Sequence, residues 1–219
     1  MANVCLLGDS IFDNAAYVGS EPAVIEHLRG ALPAGSTATL LAVDGASAND
    51  VREQLGRLDG SETHLFVSAG GNDAYNAGGI FTERVVTVAQ ALRLLAGAQA
   101  RFRTDYEALL RAIVGLDKPV AVCTVYDAIP GLGEGERAGL ALFNDVIIRS
   151  AAEALIPVID LRVVCDQPGD YSAISPIDPS GQGGAKIAQV IADLIGQHNF
   201  AVSRAGTRMF TGSARSSKR

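Results

Sequence analysis

The feature that most constrains this chain is a repeated switch between two kinds of apolar patterning. Short, unbroken apolar runs occur at Asn3–Leu7, Ala38–Val43, Leu65–Ser68, Val120–Thr124 and Pro157–Asp160. A strand with one face in water alternates polar and apolar residues, whereas a parallel strand covered by helices on both faces is apolar throughout. Between the runs lie helical stripes. Tyr106, Leu109, Leu110, Ile113 and Val114 follow the i, i+3, i+4, i+7, i+8 spacing, as do Ile187, Val190, Ile191, Leu194 and Ile195. Val51, Leu55 and Leu58 make a shorter stripe. This alternation predicts an α/β protein, a three-layer α/β/α sandwich around about five parallel strands. In such sheets ligands bind beyond the carboxyl ends of the strands, near a reversal of strand order. A motif that carries chemistry is therefore expected just after a strand.

The 219 residues suit one domain, read as residues 1–199, followed by a basic tail over 200–219. The tail holds Arg204, Arg208, Arg215, Lys218 and Arg219 and no acid. Of the net charge of −6, the body before it thus carries −11, all 24 acidic residues against 13 of the 18 basic ones. An acidic body argues against nucleic-acid binding, which needs basic surface to neutralise phosphates. A terminal basic run is expected to be solvated. The apolar start, Val4 to Leu7, is short, lacks a basic flank and reads as a strand and not as a signal peptide. No stretch approaches the ~20 apolar residues that span a bilayer. Cys5, Cys123 and Cys165 are widely spaced and sit in or beside apolar runs, which predicts buried thiols in the cytoplasm, without disulfides or a metal site. Nothing in the pattern indicates a cofactor or an oligomeric state. The segment Phe81–Ala100 reads as helical and long enough to cover part of a site.

Four short motifs follow strands or open the last helix: Gly8-Asp9-Ser10, Asp44-Gly45-Ala46-Ser47, Gly70-Gly71-Asn72-Asp73 and Asp178-Pro179-Ser180-Gly181. Singly, each has an ordinary structural explanation as a helix cap, a turn or a loop. Together and in this order, with Asp9-Ser10-Ile11-Phe12-Asp13-Asn14 and the late Val158-Ile159-Asp160-Leu161, they resemble the conserved blocks of the SGNH (GDSL-type) hydrolases, from residue 3 to about residue 195. The resemblance implies a flavodoxin-like SGNH hydrolase fold and serine ester hydrolysis of the esterase or lipase kind. It places Ser10 as nucleophile and implies oxyanion donors in the backbone N–H of Ser10, the backbone N–H of Gly45 and the side-chain amide of Asn72. The chemistry needs such parts. Acyl transfer requires a nucleophile at an exposed turn, and preorganised donors around the developing oxyanion are worth a few kcal/mol each. Asn72 supplies an uncharged N–H, which Asp73 cannot do while ionised.

One block departs from the family. Where an aspartate and, three positions later, a histidine are expected, this chain has Ser175 and Asp178. Three histidines occur elsewhere: His27 in the first helix, His64 ahead of the third strand and His198 beyond the last helix. His64 is expected at the opposite pole, and His198 reaches the site only if the tail folds back. Asp178 is the remaining candidate base. Its reference pKa of ~3.9 lies ~2.6 units below that of histidine, a deficit of about 3.5 kcal/mol in proton-accepting drive. Burial, or the charges of Asp9 and Asp73, would recover part of it.

Two functions follow. One is a small-molecule ester hydrolase using Ser10 with an atypical carboxylate base. The other is a catalytically silent relative whose cleft binds an acylated or glycosylated ligand or a protein partner. Tyr75 and Tyr126 follow strand ends and are candidates for lining the cleft, along with Asp9, Asp73 and Ser175. A metal site from Asp9, Asp73 and Asp178 would require the three carboxylates to converge. A nucleotide-binding role has no glycine-rich phosphate motif after the first strand.

Overall fold

The computed structural model describes residues 1–200 and 207–212. Six parallel strands form one sheet: β1 (Asn3–Leu7), β2 (Thr37–Leu40), β3 (His64–Ser68), β4 (Val120–Cys123), β5 (Val158–Ile159) and β6 (Met209–Phe210), in the order β2-β1-β3-β4-β5-β6. The helices are α1 (Val24–Ala31), α2 (Ala48–Gln54), α3 (Gly71–Asn76), α4 (Val88–Val114), α5 (Glu134–Glu153), α6 (Leu161–Val164) and α7 (Gly181–Gln197).

The unbroken apolar runs have the predicted cause. Along β1, Val4 and Leu6 pack on the face covered by α1 and α7, while Cys5 and Leu7 pack on the face covered by α2, α4 and α5. Both faces are dry, so neither tolerates polar residues. The helical stripes seat their helices. Phe102, Tyr106, Leu109, Leu110 and Ile113 of α4 are buried, as are Ile187, Val190, Ile191 and Leu194 of α7. All three cysteines are buried free thiols.

The sheet differs from the expectation at both edges. β2 ends at Leu40 and does not run to Val43, because the N–H groups of Leu41 and Ala42 both donate to the Leu6 carbonyl and the register slips by one residue. The sixth strand comes from the basic C-terminal segment: Val158 N–H donates to the Arg208 carbonyl at 2.8 Å and Asp160 N–H to the Phe210 carbonyl at 2.8 Å. Residues 201–206 and 213–219 of that segment lie outside the described residues. The long insertion also starts later than predicted. Ala77–Thr82 forms a 3-10 turn, and α4 begins at Val88 behind a Thr87 cap. No helix among the described residues is long and apolar enough to cross a membrane.

The chain places β2 on one side of β1 and then β3 on the other. Strand order therefore reverses between β1 and β3, and the loops after these strands border the crevice where ligands enter such sheets.

Candidate active site

The turn after β1 is held by three buried groups. Gly8, at φ +148°, lies so close to β3 that a Cβ would collide with the Ser68 carbonyl, so only glycine brings the two strand ends together here. The Gln54 side chain of α2 clasps Gly8, with its Oε1 accepting the Gly8 N–H and its Nε2 donating to the Gly8 carbonyl, each at 2.8 Å. Asp9 points inward, where Oδ1 accepts from the Ser68 hydroxyl at 2.8 Å and from the Ile11 N–H at 3.2 Å. Burial raises the Asp9 pKa to about 7 against these hydrogen bonds. Ser10 follows on a fixed turn, and its backbone N–H has no hydrogen-bond acceptor among the described residues.

Gly45 sits at the exposed tip of the turn after β2, at φ +81°, in the left-handed region that glycine enters freely. Neighbours hold the turn in place: the Tyr17 hydroxyl donates to Asp44 Oδ2, the Asp44 N–H donates to Asp13 Oδ2 at 3.0 Å, and Asn72 Nδ2 donates to the Ala46 carbonyl at 3.2 Å. The last bond joins the loops after β2 and β3, so Gly45 and Asn72 share one neighbourhood. The Gly45 N–H, like that of Ser10, has no acceptor among the described residues.

The segment carrying Asp178 is tied down from several sides. Tyr126 Oη donates to the Ile177 carbonyl at 2.7 Å, Asn14 Nδ2 donates to the Pro179 carbonyl at 3.0 Å, and the Ser172 N–H donates to the Asp178 carbonyl at 2.8 Å. Asp178 is only 3% exposed. Ser175 Oγ donates to Asp178 Oδ2 at 2.5 Å, and Oδ1 is buried with no hydrogen-bond partner among the described residues. Burial raises the Asp178 pKa, the Ser10 and Ser175 hydroxyls lower it, and the charge of Asp44 raises it again. The Ser10 hydroxyl is thus near enough to be felt by the carboxylate, although it completes no hydrogen bond to Oδ1.

Two expectations, both concerning the aspartates, change at this point. Asp73 is engaged by α2: its Oδ2 accepts the Ala48 N–H at 3.0 Å at the start of that helix. The carboxylate that acts on Asp178 is Asp44, in place of the predicted Asp9 and Asp73. Among the described residues, no cluster of His, Cys, Asp and Glu is placed to hold a metal ion. His198 does not fold back to the site. It packs edge-on against Phe200 and Phe210, with ring centroids at 4.7 and 5.5 Å, and Phe200 in turn meets His64 at the start of β3, at the other end of the sheet. His27 lies between α1 and α7, beside Gly184. Gln54 and Asn14 tie these segments together; Asn14 closes the block quoted after β1, while Gln54 was not singled out from the sequence.

A cavity of ≈ 530 Å³ opens at Ser10 and Asn72 and runs between α3, the 3-10 turn and the start of α5. Its walls are mostly apolar, with Ile11, Val125, Ile129, Leu132, Leu140 and Ile177 contributing. Tyr75 and Tyr126 both line it, Tyr75 at the exposed rim and Tyr126 buried.

Residues 6–186 match the model of the GDSL-like lipase/acylhydrolase family. The chain belongs to this family. Its members are hydrolases acting on esters, and the fold agrees with solved structures of that kind. A lipase from a goat rumen metagenome, Lip_vut3, superposes with a TM-score of 0.69 at 16% identity, covering 86% of this chain and 95% of its own. The extracellular lipase of Streptomyces rimosus gives 0.63 at 21% identity, covering 88% and 99%. The acetyl-xylooligosaccharide esterase Axe2 of Geobacillus stearothermophilus, in the form of a point mutant, gives 0.67 at 14% identity, covering 90% and 95%. Comparison with curated proteins produced no match. At these identities the likeness is one of fold. Within the family, the α/β/α sandwich and the parallel sheet are as expected, with six strands in place of about five.

Proposed function

We propose that this protein hydrolyses small-molecule carboxylic esters, with Ser10 as nucleophile and Asp178 as its base. The observation that carries the reading is the setting of Ser10. It borders an apolar cavity together with Asn72, and it adjoins a buried carboxylate that no cation among the described residues neutralises. In this mechanism the Ser10 hydroxyl attacks the ester carbonyl as its proton passes to Asp178. The oxyanion is received by the free N–H groups of Ser10 and Gly45 and by the Asn72 amide. Asp178 returns the proton to the leaving alkoxide. Water, deprotonated by the same carboxylate, then attacks the acyl carbon, and Asp178 returns that proton to the Ser10 Oγ as the acid is released.

Ser175 takes the place of an orienting aspartate. A second carboxylate there would repel Asp178, whereas a hydroxyl donates to its Oδ2 and leaves Oδ1 to accept the proton. The raised pKa makes Asp178 a stronger base than an exposed aspartate and shifts the acidic limb of the rate profile upward. Hydrolysis requires the ionised form, so the rate falls as pH drops through that raised pKa. The buried free thiols fit a cytoplasmic setting.

A fluorophosphonate probe and a series of p-nitrophenyl esters test the proposal. The expected result is labelling of Ser10 and turnover that rises with pH and vanishes in Ser10→Ala. Absence of both labelling and turnover across acid, neutral and alkaline buffers would overturn it. The incomplete hydrogen bond between Ser10 and Asp178 favours one rival, a silent relative that binds an acylated ligand in the same cavity. That rival predicts ligand binding with no labelling.

A further inference from the structure

Part of the wall of the cavity at Ser10 is built from two segments outside the catalytic motifs. Gly78, Gly79 and Phe81 come from the turn after α3, Leu132 from the loop before α5, and Glu136 and Leu140 from the first turns of α5. Phe81 lies across α5 on a seat made by two glycines one turn apart. A Cβ on Gly139 would stand 2.7 Å from the Phe81 Cζ, and one on Gly135 would stand 3.8 Å from its Cε1. With the ring in place, Gly139 has room for hydrogen only. Phe81 is 46% exposed, so its position owes more to this seat than to burial in the core.

The direction in which an ester enters follows from the proton. The leaving oxygen must receive its proton from Asp178, which does not line the cavity, while Ile177 beside it does. With the leaving oxygen turned toward Asp178, the acyl chain lies on the opposite side of the carbonyl carbon, inside the apolar cavity.

We infer that this cavity is an acyl-chain site for medium-length aliphatic acyl groups, and that Phe81, seated on Gly135 and Gly139, sets the chain-length limit. The inference rests on the ester-hydrolase reading and specifies its substrate class. Each methylene that leaves water for the apolar wall improves binding by about four-fold. Preference therefore climbs with chain length until the chain meets Phe81, and then falls. Glu136, whose Oε2 accepts the Gly133 N–H at 2.8 Å, puts a carboxylate at the wall and disfavours acyl groups with an anionic end.

The test is the profile of kcat/KM for p-nitrophenyl esters from acetate to dodecanoate, in the parent and in Phe81→Ala, Gly139→Ala and the double variant. The parent is expected to climb by about four-fold per methylene and then break. Phe81→Ala, at a half-exposed site where folding is little affected, moves the break to longer chains. Gly139→Ala shifts the profile only while Phe81 is present and adds nothing to Phe81→Ala. A parent profile flat from acetate onward, or a break unmoved by Phe81→Ala, overturns the inference while leaving ester hydrolysis standing. Calorimetric binding of free fatty acids to Ser10→Ala keeps the two readings apart. Chain-length-dependent binding without any esterase activity in the parent supports the cavity and removes the hydrolase. No binding of any chain length, with no turnover in the parent, removes both.

Discussion

Two regions of the molecule bury aspartates, and they do so on opposite terms. Beyond β5, Asp160 accepts from Arg162 Nε at 2.7 Å, from Arg162 Nη2 at 2.6 Å and from the Thr124 hydroxyl at 2.9 Å. Burial alone would raise its pKa, but the guanidinium and the hydroxyl outweigh it and hold the carboxyl below its usual value. Asp170, fully buried, is paired with Lys186 Nζ at 2.6 Å and accepts from Gln182 Nε2 at 2.8 Å. At the Ser10 pole, Asp9 and Asp178 are also buried but have only hydroxyl and amide donors, and both are pushed up. A buried carboxylate that pairs with a cation serves the fold. One without a cation stays within reach of its proton and can exchange it. Under the proposed function, the contrast separates aspartates that hold the fold together from the aspartate assigned to the chemistry.

Substitutions at the two regions should therefore affect different observables. The largest effect belongs to Ser10→Ala, which should lower ester turnover by about 10⁴-fold or more with the melting temperature unchanged. Asn72→Ala should follow at about 10²–10³-fold in kcat, the cost of one oxyanion donor. Next comes the paired change Asp178→His with Ser175→Asp, which restores the family's base and its orienting partner. It should raise turnover near neutral pH by about 10²-fold and bring the acidic limb toward the ~6.5 of histidine. A fall in rate instead would assign Asp178 a task that histidine cannot perform.

On the structural side, Lys186→Met strands the buried Asp170 carboxylate. Chemical denaturation should show a loss of about 2 kcal/mol, below the usual figure for a fully buried pair because the lysine is part-exposed, while turnover per folded molecule stays constant. The last prediction concerns Asp9 and is read as a slope of stability with pH. Its folded pKa of about 7 lies above its unfolded value of 3.8, so the native state binds the proton more tightly. The stability from that proton is complete below about pH 4 and is lost as pH rises to about 7, at no more than about 1.4 kcal/mol per pH unit. Asp9→Asn cannot titrate and should flatten this slope. A slope that survives the substitution would mean that another group carries it.

Much of this architecture could be read from the chain. Unbroken apolar runs marked β1, β3 and β4 to within a residue of their ends, because a strand with two dry faces tolerates no polar interruption. The position of each motif after a strand brought Ser10 and Asn72 to the same crevice. β6 left no signal. A two-residue edge strand needs only backbone pairing, and Met209 and Phe210 show no period. Asp73 looked like a site residue because it adjoins Asn72, yet successive residues at the start of a helix point in different directions. Asp73 serves α2, while Asn72 lines the cavity beside Ser10 and reaches the Ala46 carbonyl.

The parallel α/β sandwich and the order of the motifs were legible without coordinates, and the resemblance to the family implied Asp178 at the position where a histidine is expected. The first two are properties of composition and spacing, and they persist whatever the side chains touch. It took the folded chain to show which aspartates have cations, that His198 belongs to the far end of the sheet, and that the Phe81 ring lies against two glycines of α5. The difference is one of range. Apolar periodicity acts along the chain, but a pKa or a cavity wall depends on atoms a few ångströms apart in space that the chain separates by tens of residues.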